Sequence, residues 1–254
     1  NSDAFYDLLS DNTAFVAMPH ISNALGTINP IKELTAAAKA RGALVLIDGA
    51  QGVAHGAINV QDIGCDFYVF SGHKLFGPTG IGVLWGRYDV LADWPVWLVG
   101  GEMIATVTYQ DATWGELPNR LEAGTPNIAG AIGLAAAITW LQGFNANDIW
   151  AHEQALLKRA TELAEKTDGV RIIGTASNKI GVLSFIIEGT HPADIGFILD
   201  KQGVAIRTGD HCAQPLMKRL GVPGTARASF TIYNTMDDVD ALFKAINKAR
   251  MMLA

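Results

Sequence analysis

Asp66-Phe67-Tyr68-Val69-Phe70-Ser71-Gly72-His73-Lys74 reads as an apolar strand that runs straight into a Ser-Gly-His-Lys turn. A second aliphatic run, Ala43-Leu44-Val45-Leu46-Ile47, precedes it and ends in Asp48-Gly49-Ala50-Gln51. Strands this apolar belong to a sheet covered on both faces. In such sheets ligands collect at the carboxyl ends of strands, where Asp48 and Lys74 fall, 26 positions apart. An acid or a lysine alone at a strand end is ordinarily a solvated cap. Together, with Ser71 and His73 beside the lysine, they suit pyridoxal phosphate: the lysine forms a Schiff base, and the acid keeps the pyridine nitrogen protonated so that the ring acts as an electron sink. Glycines 77, 80, 82 and 86 serve tight geometry and match neither a phosphate-binding Walker loop nor the dinucleotide fingerprint.

Strand and helix signals alternate around this stretch. Asn29-Pro30 opens a helix as N-cap and first turn, Ile31, Leu34 and Ala38 give it an inner stripe, and Gly42 closes it. With further strands over 67–70 and 81–85, residues 12–90 are expected to form a parallel, doubly wound sheet. Ile128 to Leu141 is nearly all apolar and predicts a buried connecting helix. An amphipathic helix follows, with Ile149, Leu156, Leu157, Ala160 and Leu163 on one face. Strands are expected at 181–187, 204–206 and 228–232, and a helix at 192–201 stopped by Gly203. Thr235-Met236-Asp237-Asp238 resembles a capping box with Asp in the usual Glu or Gln position, ahead of a last helix that turns Val239, Leu242, Phe243 and Ile246 inward. The expected fold class is α/β: a partly parallel, doubly wound sheet in residues 1–140 and a smaller α+β domain in 141–254.

Composition bounds the function. The 254 residues are 49% hydrophobic, enough for a substantial core. No apolar run reaches membrane-spanning length, so no membrane partner is expected. The formal net charge of −6, without a basic tract, argues against nucleic acid. Cys65 and Cys212 are far apart and outside any CxxC pattern, and the histidines and cysteines lack metal-ligand spacing, so neither a disulfide scaffold nor a metal is expected. That pattern favours a reducing, cytoplasmic setting. The start, Asn1-Ser2-Asp3-Ala4-Phe5, has neither an initiator Met nor a signal-peptide pattern and reads as an interior point of a longer chain.

A second constellation lies near the end. Arg207-Thr208-Gly209-Asp210-His211-Cys212-Ala213-Gln214-Pro215 is a polar loop leaving a β-edge. Cys65, before a strand, reads as a small buried hydrophobe. Cys212 has polar neighbours, among which Arg207 and His211 favour a thiolate and Asp210 opposes it. Arg227, at the entrance to an apolar strand, is either an exposed ion-pair partner or a fork for a carboxylate.

These pieces together resemble the group II cysteine desulfurases of the class V aminotransferase superfamily, the SufS and CsdA types that also act as selenocysteine lyases. The matching stretches are His20-Ile21-Ser22-Asn23-Ala24-Leu25-Gly26-Thr27, Asp48-Gly49-Ala50-Gln51, Phe70-Ser71-Gly72-His73-Lys74, Glu122-Ala123-Gly124-Thr125-Pro126-Asn127, 207–213 and Arg227-Ala228-Ser229. Met103-Ile104-Ala105-Thr106-Val107 and His-Ile-Ser-Asn draw the likeness nearer to SufS. The resemblance implies a fold-type I pyridoxal phosphate-dependent transferase. Lys74 would hold the cofactor, Asp48 would pair with its pyridine nitrogen, Gln51 would bond its phenolic oxygen, and Ser71 and His73 its phosphate. Thr125 would reach the phosphate in a partner subunit, making a homodimer. Asn23, at the cofactor, and Arg227 would orient the substrate, with Arg207 near by, and Cys212 would accept sulfur. The implied reaction turns L-cysteine into L-alanine with a persulfide on Cys212, or L-selenocysteine into alanine plus selenide. It would supply Fe–S cluster assembly through a SufE-type acceptor protein. Family members carry a further front segment with a Gly/Thr phosphate turn and a ring-stacking histidine, neither of which is in these residues. The residues by themselves leave open a class V aminotransferase with an incidental Cys212, or a non-catalytic fragment.

Overall fold

The structure, a computed structural model, describes residues 2–253. The chain divides into two compact units. The first comprises Asn1–Pro19, Pro30–Ala54 and Ile58–Gly143, and the second His20–Asn29, His55–Ala57 and Phe144–Ala254. Residues 20–29 and 55–57, which the sequence assigns with everything up to 140, thus cluster with the second unit.

The first unit is an α/β layer. After α1 (Ser2–Leu8), β1 (Phe15–Pro19), β2 (Leu44–Asp48) and β3 (Phe67–Ser71) run parallel, with β4 (Gly82–Gly86) at the edge of the sheet order β1-β2-β3-β4. Helices α2 (Ile31–Lys39) and α3 (Val60–Ile63) make the crossovers. Helix α2 starts one residue later than the sequence signal, with Pro30 as its cap and Ile31, Leu34, Thr35 and Ala38 buried. The expectation of an all-parallel stretch fails at β4, which is antiparallel to β3. Only a 3-10 turn (Gly72–Leu75) and a short glycine-rich loop join these strands. That is too little chain for the crossover a parallel partner needs.

Asp66 ties this layer together. It is 0% exposed and accepts from Lys39 Nζ at 2.6 and 2.8 Å, from Arg87 Nη1 at 2.9 Å and from the Val45 amide at 2.8 Å. One carboxylate thereby joins the end of α2, the start of β2 and the exit of β4. Cys65 beside it is buried, and burial pushes its thiol up to about 11, so it behaves as the small hydrophobe expected.

Beyond β4 come α4 (Tyr88–Ala92), an antiparallel hairpin of β5 (Ile104–Val107) and β6 (Ala112–Trp114), and α5 (Ile128–Gln142). The sequence predicts α5 to be buried; instead only Gly130 and Leu134 are, and Ile128 and Ile132 are 59% and 67% exposed. One side, through Leu134, Ile138 and Leu141, packs on Ala54, Leu75 and Phe76. A helix apolar all round carries no stripe to say which side that is.

The second unit is an antiparallel sheet in the order β7-β8-β10-β9, formed by β7 (Val170–Ile173), β8 (Val182–Ile187), β9 (Arg207–Gly209) and β10 (Thr225–Ser229). It is covered by α6 (Ala146–Glu165), α7 (Pro192–Asp200) and α9 (Met236–Leu253), with the short α8 (Gln214–Leu220) between β9 and β10. Leu156, Leu183, Phe185, Ile195, Leu199, Leu242 and Ile246 are among the residues at its core. The capping box forms as read: Thr235 N donates to Asp238 Oδ2 at 2.9 Å and Asp238 N to Thr235 Oγ1 at 3.3 Å. Two strands are displaced from their expected positions. Residues 204–206 are not strand, because pairing starts at Arg207. The last strand covers 225–229 rather than 228–232 and puts Arg227 at its middle rather than its entrance. In both cases pairing across the sheet overrides the local apolar pattern. Glu153, fully buried on α6, is held by His55 Nδ1 at 2.7 Å.

Asp66→Ala should destabilise the protein by about 3 kcal/mol or more, since it strands two cations and a buried amide at once. Urea unfolding measures this, and a loss below about 1 kcal/mol would show that the cluster behaves as an ordinary surface pair.

Candidate active site

In the first unit, parallel pairing brings two strand ends level. Asp48 lies opposite Val69, and the Gly49 amide donates to the Val69 carbonyl at 2.8 Å. β2 therefore turns away where β3 has two residues left to run, and Lys74 follows on the turn, five positions after Val69. Asp48 is exposed and accepts from its own Ala50 amide at 2.9 Å, which fixes the turn that carries half-buried Gln51. Gly49 is obligatory there: a Cβ would lie 2.0 Å from Tyr68 Cε1. Tyr68 is buried, and desolvation raises its phenol well above the ordinary range. On the neighbouring turn Ser71 Oγ and His73 Nδ1 are 2.8 Å apart, and Lys74 is exposed on the 3-10 turn. Gly72, buried beneath them, donates its amide to the Ile81 carbonyl. Exposed Thr125 lies two residues before Asn127, which caps α5 through the Gly130 amide and reaches the Gly80 carbonyl at 3.0 Å. The loop of Thr125 is thus anchored to the loop that follows Lys74.

In the second unit a different group assembles. Arg207 and Arg227 face each other across β9 and β10. Arg227 Nη1 donates to the Asn23 carbonyl at 2.7 Å, while its buried Nε has no partner among the described residues. Burial first, and then Arg207, lower the proton affinity of Arg227 from its ordinary value. Two like charges directly opposite on a sheet repel, and no carboxylate among the described residues pairs with either. An arriving carboxylate relieves this repulsion. The Asn23 side chain donates to the His211 carbonyl at 2.7 Å, so one residue holds both Arg227 and the segment leading to Cys212.

His211 and Cys212 both have left-handed backbones, with φ of 55° and 59°. Cys212 is exposed and reduced. His211 is buried, with Nε2 2.8 Å from Thr225 Oγ1. Burial lowers its pKa most, and Arg227 and Arg207 lower it further. That corrects the sequence reading of His211 as a charge beside the thiol: it is a neutral ring packed inward. Thr225 and Tyr68 were not singled out in the sequence. Thr225 lies two residues from Arg227 on the same face of a strand, which would have drawn attention to it had the strand been placed correctly. No group of three metal-ligating side chains occurs among the described residues.

The class-V aminotransferase family profile matches residues 1–242, and the chain belongs to that family. It is 49% identical over 253 residues to a Halobacterium salinarum protein named probable cysteine desulfurase, covering 99% of this chain and 61% of that protein. With a Synechococcus elongatus cysteine desulfurase it shares 48% identity over 246 residues, covering 97% of this chain and 39% of that protein. The crystal structure of the Escherichia coli cysteine desulfurase CsdA superposes with a TM-score of 0.96 at 40% identity, covering all of this chain and 63% of CsdA. The chain thus spans about three fifths or less of the length of these relatives, and its fold is theirs, the pyridoxal phosphate-dependent transferase fold.

The family depends on pyridoxal phosphate, and the first unit fits such a group. An aldehyde needs an accessible amine, a protonated ring nitrogen needs a carboxylate, and a phosphate needs polar donors. Lys74, Asp48 and the Ser71–His73 pair offer these groups where the paired strands β2 and β3 end.

Gly49→Ala should force Tyr68 or the Asp48 turn aside. The expected result is a loss of about 1–3 kcal/mol in stability together with weaker cofactor retention in dialysis. Unchanged retention would show that the turn tolerates the displacement.

Proposed function

We propose that this chain carries the catalytic residues of a pyridoxal phosphate-dependent cysteine desulfurase that converts L-cysteine to L-alanine and leaves the sulfur on Cys212. The observation that carries the reading is the exposed Cys212 on a left-handed turn, in the same unit as an opposed arginine pair that no carboxylate among the described residues pairs with. An aminotransferase needs the arginines but has no use for the thiol.

Lys74 would hold the cofactor, Asp48 would pair with its ring nitrogen, Gln51 would bond its phenolic oxygen, Ser71 and His73 would bond its phosphate, and Asn23, at the cofactor, would help orient the substrate. When bound, pyridoxal phosphate supplies an electron sink for charge developing at the substrate's α-carbon. Arg227, with Arg207 across the sheet, grips the substrate carboxylate, a task for which a planar fork is suited. Lys74 Nζ takes the α-proton as general base. Cys212 Sγ then bonds the substrate sulfur as the Cβ–S bond breaks. The electron pair of that bond passes to Cβ, the proton given up by the Cys212 thiol completes the methyl group, and Lys74 Nζ returns its proton to the α-carbon to give alanine. The thiol becomes a persulfide. With selenocysteine the selenium leaves more readily, so the thiolate is less needed. The proposed setting is a cytoplasmic homodimer of the SufS type, with Thr125 contributing to the partner's phosphate site. It passes sulfur to a SufE-type acceptor for Fe–S cluster assembly.

Lys74→Ala should abolish alanine release and the visible absorbance of bound cofactor together, because one residue anchors the cofactor and moves the proton. Appreciable desulfurase activity in that variant would contradict the assignment.

Cys212→Ser should nearly eliminate turnover of cysteine while leaving substantial turnover of selenocysteine, both measured as alanine formed. Undiminished activity on cysteine would make Cys212 incidental, as in an aminotransferase. Equal losses on both substrates would make it structural.

A further inference from the structure

Cys212 sits in a conformation that an L-residue does not adopt unaided. Two consecutive non-glycine residues, His211 and Cys212, have positive φ, where Cβ crowds the backbone. Such geometry persists only when surrounding contacts hold it. His211 is held at both ends, its carbonyl by Asn23 Nδ2 and its ring by Thr225. Cys212 has another anchor: its own amide donates to Asp210 Oδ1 at 2.9 Å, and the Asp210 carbonyl accepts from Ala213 at 2.9 Å. The bond from the Cys212 amide, followed by one from Gln214, lowers the Asp210 pKa, so the acceptor is ionised at neutral pH.

We propose, resting on the desulfurase reading above, that Asp210 is a positioning residue for the nucleophile: by accepting the Cys212 amide it keeps Cys212 in the left-handed turn that presents Sγ to the substrate sulfur. The effect of the carboxylate passes through one peptide group. Without it, Cys212 relaxes toward ordinary φ and carries Sγ away, and a displacement on the order of 1 Å in a reacting atom lowers turnover up to about a hundredfold. The arginine pair stays in place, so the loss falls on kcat rather than on KM.

The test compares Asp210→Ala with Asp210→Asn in the holoenzyme, because the amide of Asn keeps an oxygen that can accept. Two quantities are read: alanine formed from cysteine, and hydrogen exchange of the 209–214 backbone by mass spectrometry. Asp210→Ala should lower kcat about tenfold to a hundredfold with KM within about twofold, and should accelerate exchange at the Cys212 amide. Asp210→Asn should restore most of both. Unchanged exchange or unchanged kcat in the Ala variant would overturn the proposal, as would an Asn variant as impaired as Ala. Absence of alanine formation in the unaltered enzyme would instead reject the desulfurase reading, and the exchange result would report on the Asp210 bond independently.

Discussion

A carboxylate with no access to water has to find its compensation inside the protein, and Asp66 finds it in Lys39, Arg87 and the Val45 amide. Those three partners come from the end of α2, the start of β2 and the exit of β4. The register of β2 against β3 is pinned at the end where both strands begin, Leu46 opposite Phe67 and Asp48 opposite Val69. A slip of one residue would turn the whole apolar set of a strand to the wrong face. The first unit's candidate residues, Thr125 apart, lie toward the other end of these strands. The exposed Asp48, the Ser71–His73 pair and Lys74 are consequences of where two parallel strands stop.

The second unit solves a different electrostatic problem. Pairing of β9 with β10 sets Arg207 against Arg227, and the shared repulsion makes the place receptive to an anion. Asn23 links this charge to the turn of Cys212 through a carbonyl on one side and an amide on the other. His211 contributes shape rather than charge, since burial among two arginines keeps its ring neutral. The turn that carries Cys212 is hydrogen-bonded by Asp210 and Asn23, and the buried ring beside it is not an imidazolium.

How much of this the sequence discloses depends on how local the cause is. The apolar runs ending at Asp48 and at Ser71 are legible because a buried parallel strand needs little but its own residues. The capping box at Thr235 is legible because both halves of the bond lie within four positions. The antiparallel turn of β4 could have been read from the shortness of the link after Lys74. Other features were not legible. The strand boundaries at Arg207 and Thr225 are set by partners elsewhere in the sheet, and with them the placing of Arg227 opposite Arg207. The exposed side of α5 has the same apolar composition as its covered side. The inward turn of His211 depends on Thr225, 14 residues away. The candidate residues themselves came from motifs and from family resemblance, whereas the contacts that hold them came from tertiary pairing.

The central claim is that one lysine and one cysteine of this chain divide the chemistry, Lys74 holding the cofactor and Cys212 receiving the sulfur. Its most direct measurement is mass spectrometry of the holoenzyme after borohydride treatment and brief exposure to L-cysteine, with the peptides around both residues identified. The account predicts a pyridoxyl adduct on Lys74 and one additional sulfur on Cys212 in the same preparation. An adduct on a different lysine, or added sulfur that bypasses Cys212 while alanine is still released, would contradict it.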